Sequence, residues 1–98
     1  MKREDILGTL RDHEAALRAR GVRHAALFGS RARDDAGPKS DTDIMLEIDP
    51  AAGIGVFDYV AIKELVAGLF DGPVDVVNRA GLKPYLRAAV TTDAIYAF

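Results

Sequence analysis

"LFGSRARDDAGPKSDTDIMLEID", residues 27–49, decides how this chain is read. An apolar strand ends at a Gly-Ser turn, two arginines follow, and a polar loop leads into a second strand through two carboxylates. The run "VRHAALFGS" is short and apolar, a good buried strand that stops at Gly29. "DIMLEID" alternates, with Ile44, Leu46 and Ile48 on one face and Asp43, Met45 and Glu47 on the other. Residues i and i+2 of a strand share a face, so Asp41 and Asp43 point together if the strand opens near Asp41. Two carboxylates that close repel, and in a bare site one is driven to protonate. A divalent cation removes the conflict. Hard oxygen ligands suit Mg²⁺, which takes one or two carboxylates and fills its other positions with water and substrate phosphate.

Outward from this stretch, residues 3–20 place Ile6, Leu7, Leu10 and Leu17 at helical spacing. Glu4 and Asp5 favour the start of that helix, and Gly21 after Arg18 and Arg20 its stop. Ser30 to Asp35 fits a helical turn, and "DAGPKSD" a loop punctuated by Gly37 and Pro38. Residues 56–70 read as a helix with Tyr59, Ile62, Leu65, Val66 and Leu69 inward, and Lys63 and Glu64 toward water. "GPVDVVN" is a short strand with one carboxylate, Asp75, and "LKPYLRAAVTTDAIYAF" a short helix with a final apolar segment. The order α-β-(α)-β-α-β-α predicts an α/β domain, helices packed on a small sheet. Ninety-eight residues leave no room for a second core, so residues 1–98 are expected to form one domain.

The net charge of −2 argues against a nucleic-acid-coating surface or an electrostatic membrane anchor, and direct nucleic-acid binding is not expected. The absence of cysteine removes disulfides, thiolate zinc sites and cysteine nucleophiles together. No apolar run approaches the ~20 residues that span a bilayer, and the start "MKREDILGTLRDHE" has no apolar core of a leader. A cytoplasmic protein without membrane association is the expectation.

Asp75 sits mid-strand between valines, an awkward place for a charge without a partner. If its strand lies beside the second, Asp75 joins Asp41 and Asp43 as a triad for two metals. Such sites stabilise both the attacking and the leaving oxygen of an in-line displacement at phosphorus. Gly29 permits positive φ or close approach of a phosphate to the backbone. A helical turn opening at Ser30 aims free N–H groups at that phosphate, and the Ser30 hydroxyl adds a donor. Arg33, about one turn along, is placed to clamp an anionic oxygen with its fork. Together these parts describe a site for a nucleoside triphosphate and Mg²⁺.

"GSRAR", then "SDTD" beginning ten residues after Ser30, then a lone strand Asp, resembles the signature of the polymerase-beta-like nucleotidyltransferase superfamily. In size and element order the chain resembles the minimal nucleotidyltransferases, small domains found as antitoxin partners of HEPN-domain toxins. The resemblance implies the polymerase-beta-like fold, a small mixed sheet flanked by helices. It implies transfer of a nucleoside monophosphate, AMP from ATP, to a hydroxyl with release of pyrophosphate. Carried over, Gly29 and Ser30 hold the triphosphate with Arg33 assisting, and Asp41, Asp43 and Asp75 bind two Mg²⁺ ions. Asp75 is then also the general base for the acceptor hydroxyl, a tyrosine of a HEPN ribonuclease toxin by analogy. One departure stands out: the family commonly has Gly right after the motif arginine, and here Asp34 and Asp35 follow Arg33. Two acids beside a triphosphate weaken binding unless they face solvent or help hold a metal.

Each piece alone has a plainer meaning. "SDTD" fits an Asx-type turn or a strand-entry cap, and Ser40 either donates to a phosphate or caps the loop. Arg31 reads as solvated or partner-facing, Lys39 as a loop lysine away from phosphate, and Tyr59, Tyr85 and Tyr96 as core and interface packing residues. His13 and His24 have no metal-ligand neighbour at useful spacing and read as structural or surface groups. Two other functions fit the same residues: an antitoxin that acts by binding, with transfer weak or lost, and the catalytic subunit of a two-chain small-molecule nucleotidyltransferase.

Overall fold

Helix α1, Arg3–Asp12, opens where the Lys2 N–H donates to the Asp5 carboxylate at 3.2 Å, and it buries Ile6, Leu7 and Leu10. The computed structural model describes residues 2–37 and 40–98, so Pro38 and Lys39 of the loop lie outside the described residues. The one helix expected over residues 3–20 is two, because α2, Glu14–Ala19, starts afresh after His13. The His13 Nδ1–H donates to the Thr9 carbonyl at 2.8 Å, the acceptor that a continuous helix gives to the His13 backbone. The His13 N–H instead bonds to the Leu10 carbonyl, one residue nearer, and the turn tightens.

Strand β1, Val22–Phe28, is central. After the helical turn α3, Ser30–Arg33, strand β2, Thr42–Ile48, returns antiparallel to it. A 3₁₀ turn, Pro50–Ala52, leads to helix α4, Val56–Ala67, which crosses over to β3, Val74–Asn78. That crossover makes β3 parallel to β2, as a helical connection permits and a tight hairpin does not. A second 3₁₀ turn, Arg79–Gly81, precedes helix α5, Pro84–Asp93, with proline in its first turn. The final apolar segment is a short strand, β4, Ile95–Tyr96, antiparallel to β1, and the Ala97 N–H donates to the Ala25 carbonyl at 2.8 Å. The order β3-β2-β1-β4 is the mixed sheet flanked by helices that the resemblance implied.

One face of the sheet sends Leu27, Ile44 and Leu46 into a core shared with Leu10 and Leu17 of the first helices and Ile62 and Val66 of α4. The opposite face, which carries Asp43 and Glu47, is partly covered as well. Helix α5 packs against β1, and Ala26 and Met45 are fully buried. Burial on both sides anchors β2, so its first residues hold a fixed position relative to β1 and β3. Among the described residues no helix is long and apolar enough to cross a membrane.

Candidate active site

Asp43 is the register partner of Asp75 across the parallel β2–β3 pair, and of Phe28 across the antiparallel β1–β2 pair. Three segments therefore converge on one sheet end: the close of β1 and the openings of β2 and β3. Gly29 follows Phe28 directly, with φ 75° and ψ −156°, a conformation that L side chains rarely adopt. A Cβ at Gly29 would collide with the Asp43 carboxylate. The glycine is thus needed twice over, for the backbone turn and for room beside a carboxyl group.

Burial pushes the Asp43 carboxyl above the ordinary carboxylate value, and the charges of Asp75 and then Asp41 push it further. Arg33 and Arg31 pull it back down. These couplings bring the three acids predicted from sequence into one electrostatic neighbourhood, although β2 begins at Thr42, one residue after Asp41. Asp43 is half-buried, while Asp41 and Asp75 are exposed. Among the described residues, no group of three or more His, Cys, Asp or Glu side chains is gathered closely enough to hold a metal ion, so the three acids share a field and not a ready ligand set. The cluster is open, built only of hard oxygen donors, with one member held unfavourably as an anion. That chemistry fits a divalent cation that brings its own water and phosphate ligands.

The Gly29 carbonyl accepts from the N–H groups of Ala32 and Arg33, both at 3.1 Å, and closes α3. Arg31 is half-buried rather than solvated, and its Nη2 donates to the Ser40 carbonyl at 2.8 Å. It ties the helical turn to the residue preceding Asp41. Ser40 caps the loop: its Oγ accepts from the Gly37 N–H at 3.0 Å, and its own N–H donates to the Gly37 carbonyl at 3.1 Å.

Arg33 stands elsewhere than a free phosphate clamp would. Its Nε donates to Asp35 at 3.1 Å and its Nη1 to Asp93, at the end of α5, at 2.6 Å. Both acids, Asp35 first, hold the guanidinium firmly protonated. The departure at Asp34 has a backbone meaning. Asp34 caps α3 in the left-handed region, φ 63° and ψ 31°, where glycine is at ease and a side chain is strained. Asp34 and Asp35 are both exposed.

Two neighbours had no signal in the sequence. Asp93 lies 60 residues from Arg33 and meets it only because α5 packs back over β1. Tyr59 of α4 is half-buried, and its hydroxyl is pushed above the ordinary phenol range by burial and then by the charge of Asp75. Lys63, expected toward water, holds its Nζ 5.7 Å from the centre of the Tyr59 ring.

Known proteins resemble this chain in sequence and fold. The sequence model of the nucleotidyltransferase domain matches residues 10–97. Protein adenylyltransferase MntA of Thermococcus cleftensis is 30% identical over 94 residues, which cover 95% of this chain and 93% of that one. A solved structure of a candidate minimal nucleotidyltransferase superposes with a TM-score of 0.79 at 29% identity, covering 97% of this chain and 95% of that one. A chain from the Shewanella oneidensis complex of a tri-AMPylated HEPN toxin with an MNT antitoxin has the same fold. There the TM-score is 0.63 at 19% identity, with 94% of this chain and 71% of that one covered. Fold and sequence agree: the chain belongs to the nucleotidyltransferase domain family, and within it to the minimal type.

Proposed function

We propose that this nucleotidyltransferase moves AMP from ATP, with Mg²⁺, to a hydroxyl on a partner protein, and that the partner is a HEPN-domain toxin silenced by the transfer. One observation carries the reading: Asp43 and Asp75 are register partners directly beside the Gly29–Ser30 turn. A relative that is an adenylyltransferase supports AMP as the transferred group, and the fold shared with an antitoxin complex supports the toxin. A ribonuclease toxin as partner would place the pair in the cytoplasm.

Asp41, Asp43 and Asp75 would hold the metal. When bound, it supplies positive charge that stabilises the attacking and leaving oxygens of the displacement. The Gly29 backbone and the Ser30 hydroxyl receive the triphosphate, and Ser40 keeps the loop that leads into Asp41 in register. Arg33 reaches phosphate by exchanging Asp93 for it, since the two are alternative oxyanion partners for one fork. Asp75, exposed on β3, takes the proton of the acceptor hydroxyl as the new O–P bond forms to the α-phosphorus. The bond from that phosphorus to the β-phosphate bridge breaks, and pyrophosphate leaves.

Calorimetric titration of ATP with Mg²⁺, beside the Asp41→Asn/Asp43→Asn double variant, tests the nucleotide site. Binding by the wild type, lost in the variant, is expected, followed by label transfer from α-³²P-ATP to a co-expressed toxin. Equal binding by both proteins would remove the carboxylates from the site.

The Arg33 contacts favour one second reading. An arginine already held by two acids suits a chain that neutralises its partner by occupancy alone. Toxin neutralisation that survives the double variant would establish that reading instead.

A further inference from the structure

Arg79 and Arg87 frame a cleft at the far end of the same sheet. Arg79 opens the 3₁₀ turn after β3, Arg87 lies in the first half of α5, and Glu47, Ile48 and Asn78 line the floor between them. A second groove, lined by Thr91 and Ala88, adjoins the same two arginines on the other side. Both residues are half-buried, and the Nε of each is closed off from solvent without a hydrogen-bond partner. Arg87 spends Nη2 on the Leu82 carbonyl at 3.1 Å. The Arg79 side chain makes no hydrogen bond or ion pair with any described residue.

Burial of Nε leaves the Nη groups as the donors that face the cleft, and the strongest acceptors for a guanidinium are oxyanions. The acid that lines the cleft is engaged elsewhere: Glu47 accepts from the Tyr96 hydroxyl at 2.6 Å and forms no ion pair with either arginine. Two arginines against one engaged glutamate leave the cleft positive. Helix α5 also begins here without a side-chain cap, its positive end adding to that charge.

We infer that Arg79 and Arg87 form an oxyanion site for a dianionic phosphate, separate from the carboxylate cluster. Arg79 offers both Nη groups and Arg87 its Nη1, more donors than a carboxylate's pair of oxygens can use, whereas the terminal oxygens of a phosphate serve both residues at once. Glu47 and Asn78 lie four and three residues beyond Asp43 and Asp75 along parallel strands. At about 3.3 Å per residue the two sites are roughly 10–13 Å apart, too far for one phosphate to occupy both. The inference stands whether or not the carboxylate cluster binds ATP.

The test is titration of inorganic phosphate, and in parallel of O-phosphoserine, into the full chain, followed by ¹H–¹⁵N shifts of the backbone and of arginine Nε–H. Wild type and Asp41→Asn should respond alike, with the largest shifts at Ala80 and at the Nε–H groups of Arg79 and Arg87. Arg79→Gln or Arg87→Gln should weaken the affinity at least ten-fold, and Arg23→Gln, on the exposed side of β1, should leave it unchanged. If either glutamine variant unfolds, Arg79→Lys and Arg87→Lys keep the charge, lose the fork, and should still weaken binding several-fold. A phosphoserine response matching or exceeding that of phosphate marks a phosphate carried on an organic molecule; a response to phosphate alone marks the free ion. No shifts at millimolar phosphate, shifts equal in all variants, an effect of Arg23→Gln as large as the others, or loss with Asp41→Asn would each overturn the inference.

Discussion

Asp43 and Asp75 are register partners across β2 and β3, and the charge of Asp75 adds to burial in pushing the Asp43 carboxyl above its ordinary value. The fold therefore carries an unfavourable charge pair at the sheet end where its function is proposed.

Asp43→Asn removes that repulsion, so the variant should melt higher than the wild type in metal-free buffer while losing Mg²⁺-dependent ATP binding. Asp43 is only partly shielded from water, and relief of about 0.5 kcal/mol is expected. That corresponds to roughly 2–4 °C in a domain of this size. The sign with pH follows from the raised carboxyl. Its anion opposes folding at neutral pH, and the penalty fades as the pH falls through its elevated value toward the ordinary 3.8. The gap in melting temperature between variant and wild type should accordingly shrink on acidification. A gap that widens would mean that Asp43 is favourably paired.

Gly29→Ala forces a side chain into a positive-φ position and against the Asp43 carboxylate. Positive φ with an extended ψ costs a side chain on the order of 1–3 kcal/mol, and thermal denaturation should show a fall of roughly 10 °C. ATP titration of the folded variant should show lost affinity, because the alanine occupies space beside the acid. Unchanged stability would mean that the turn relaxes at no cost.

Asp93→Asn releases one of the two acids on Arg33. If the guanidinium then turns to phosphate more readily, the Kd for ATP should drop about three-fold, the scale of one partly exposed ion pair. A weaker Kd would show that Asp93 holds Arg33 in its working position.

Asp34→Gly places glycine where the backbone is left-handed. A gain of about 0.5 kcal/mol, visible as a small rise in melting temperature, is expected, since strain relief exceeds the added freedom of the unfolded chain. ATP affinity should rise as well, with one negative charge fewer beside α3. A lower melting temperature would indicate that the Asp34 side chain contributes more than its strain removes.

Local chemistry was the legible part. Gly29 between an apolar run and a polar turn, the alternation after Asp43, and a lone acid in a valine strand each state their roles within a few residues. The acid flanked by valines points to a partner, but neither the place of β3 beside β2 nor its parallel direction is written in those residues. What escaped depended on distance or on competition. Helix α1 ends because a His13 ring captures a carbonyl, which periodicity does not register. Strand β4 has two residues, too few for an alternating pattern. Arg33 reads as free from its surroundings in sequence, since the acid at Asp93 arrives through tertiary packing. Arg31 looked solvated for the same reason, its acceptor being a backbone carbonyl across a loop.

Because β3 is one of the two edge strands, Asp75 can be approached from the side as well as from above. Under the proposed reaction, a hydroxyl on a projecting loop reaches it without parting any element of secondary structure. The chain would then work as a ledge, and which hydroxyls are modified would be set by the shape of the visiting surface and the duration of its stay.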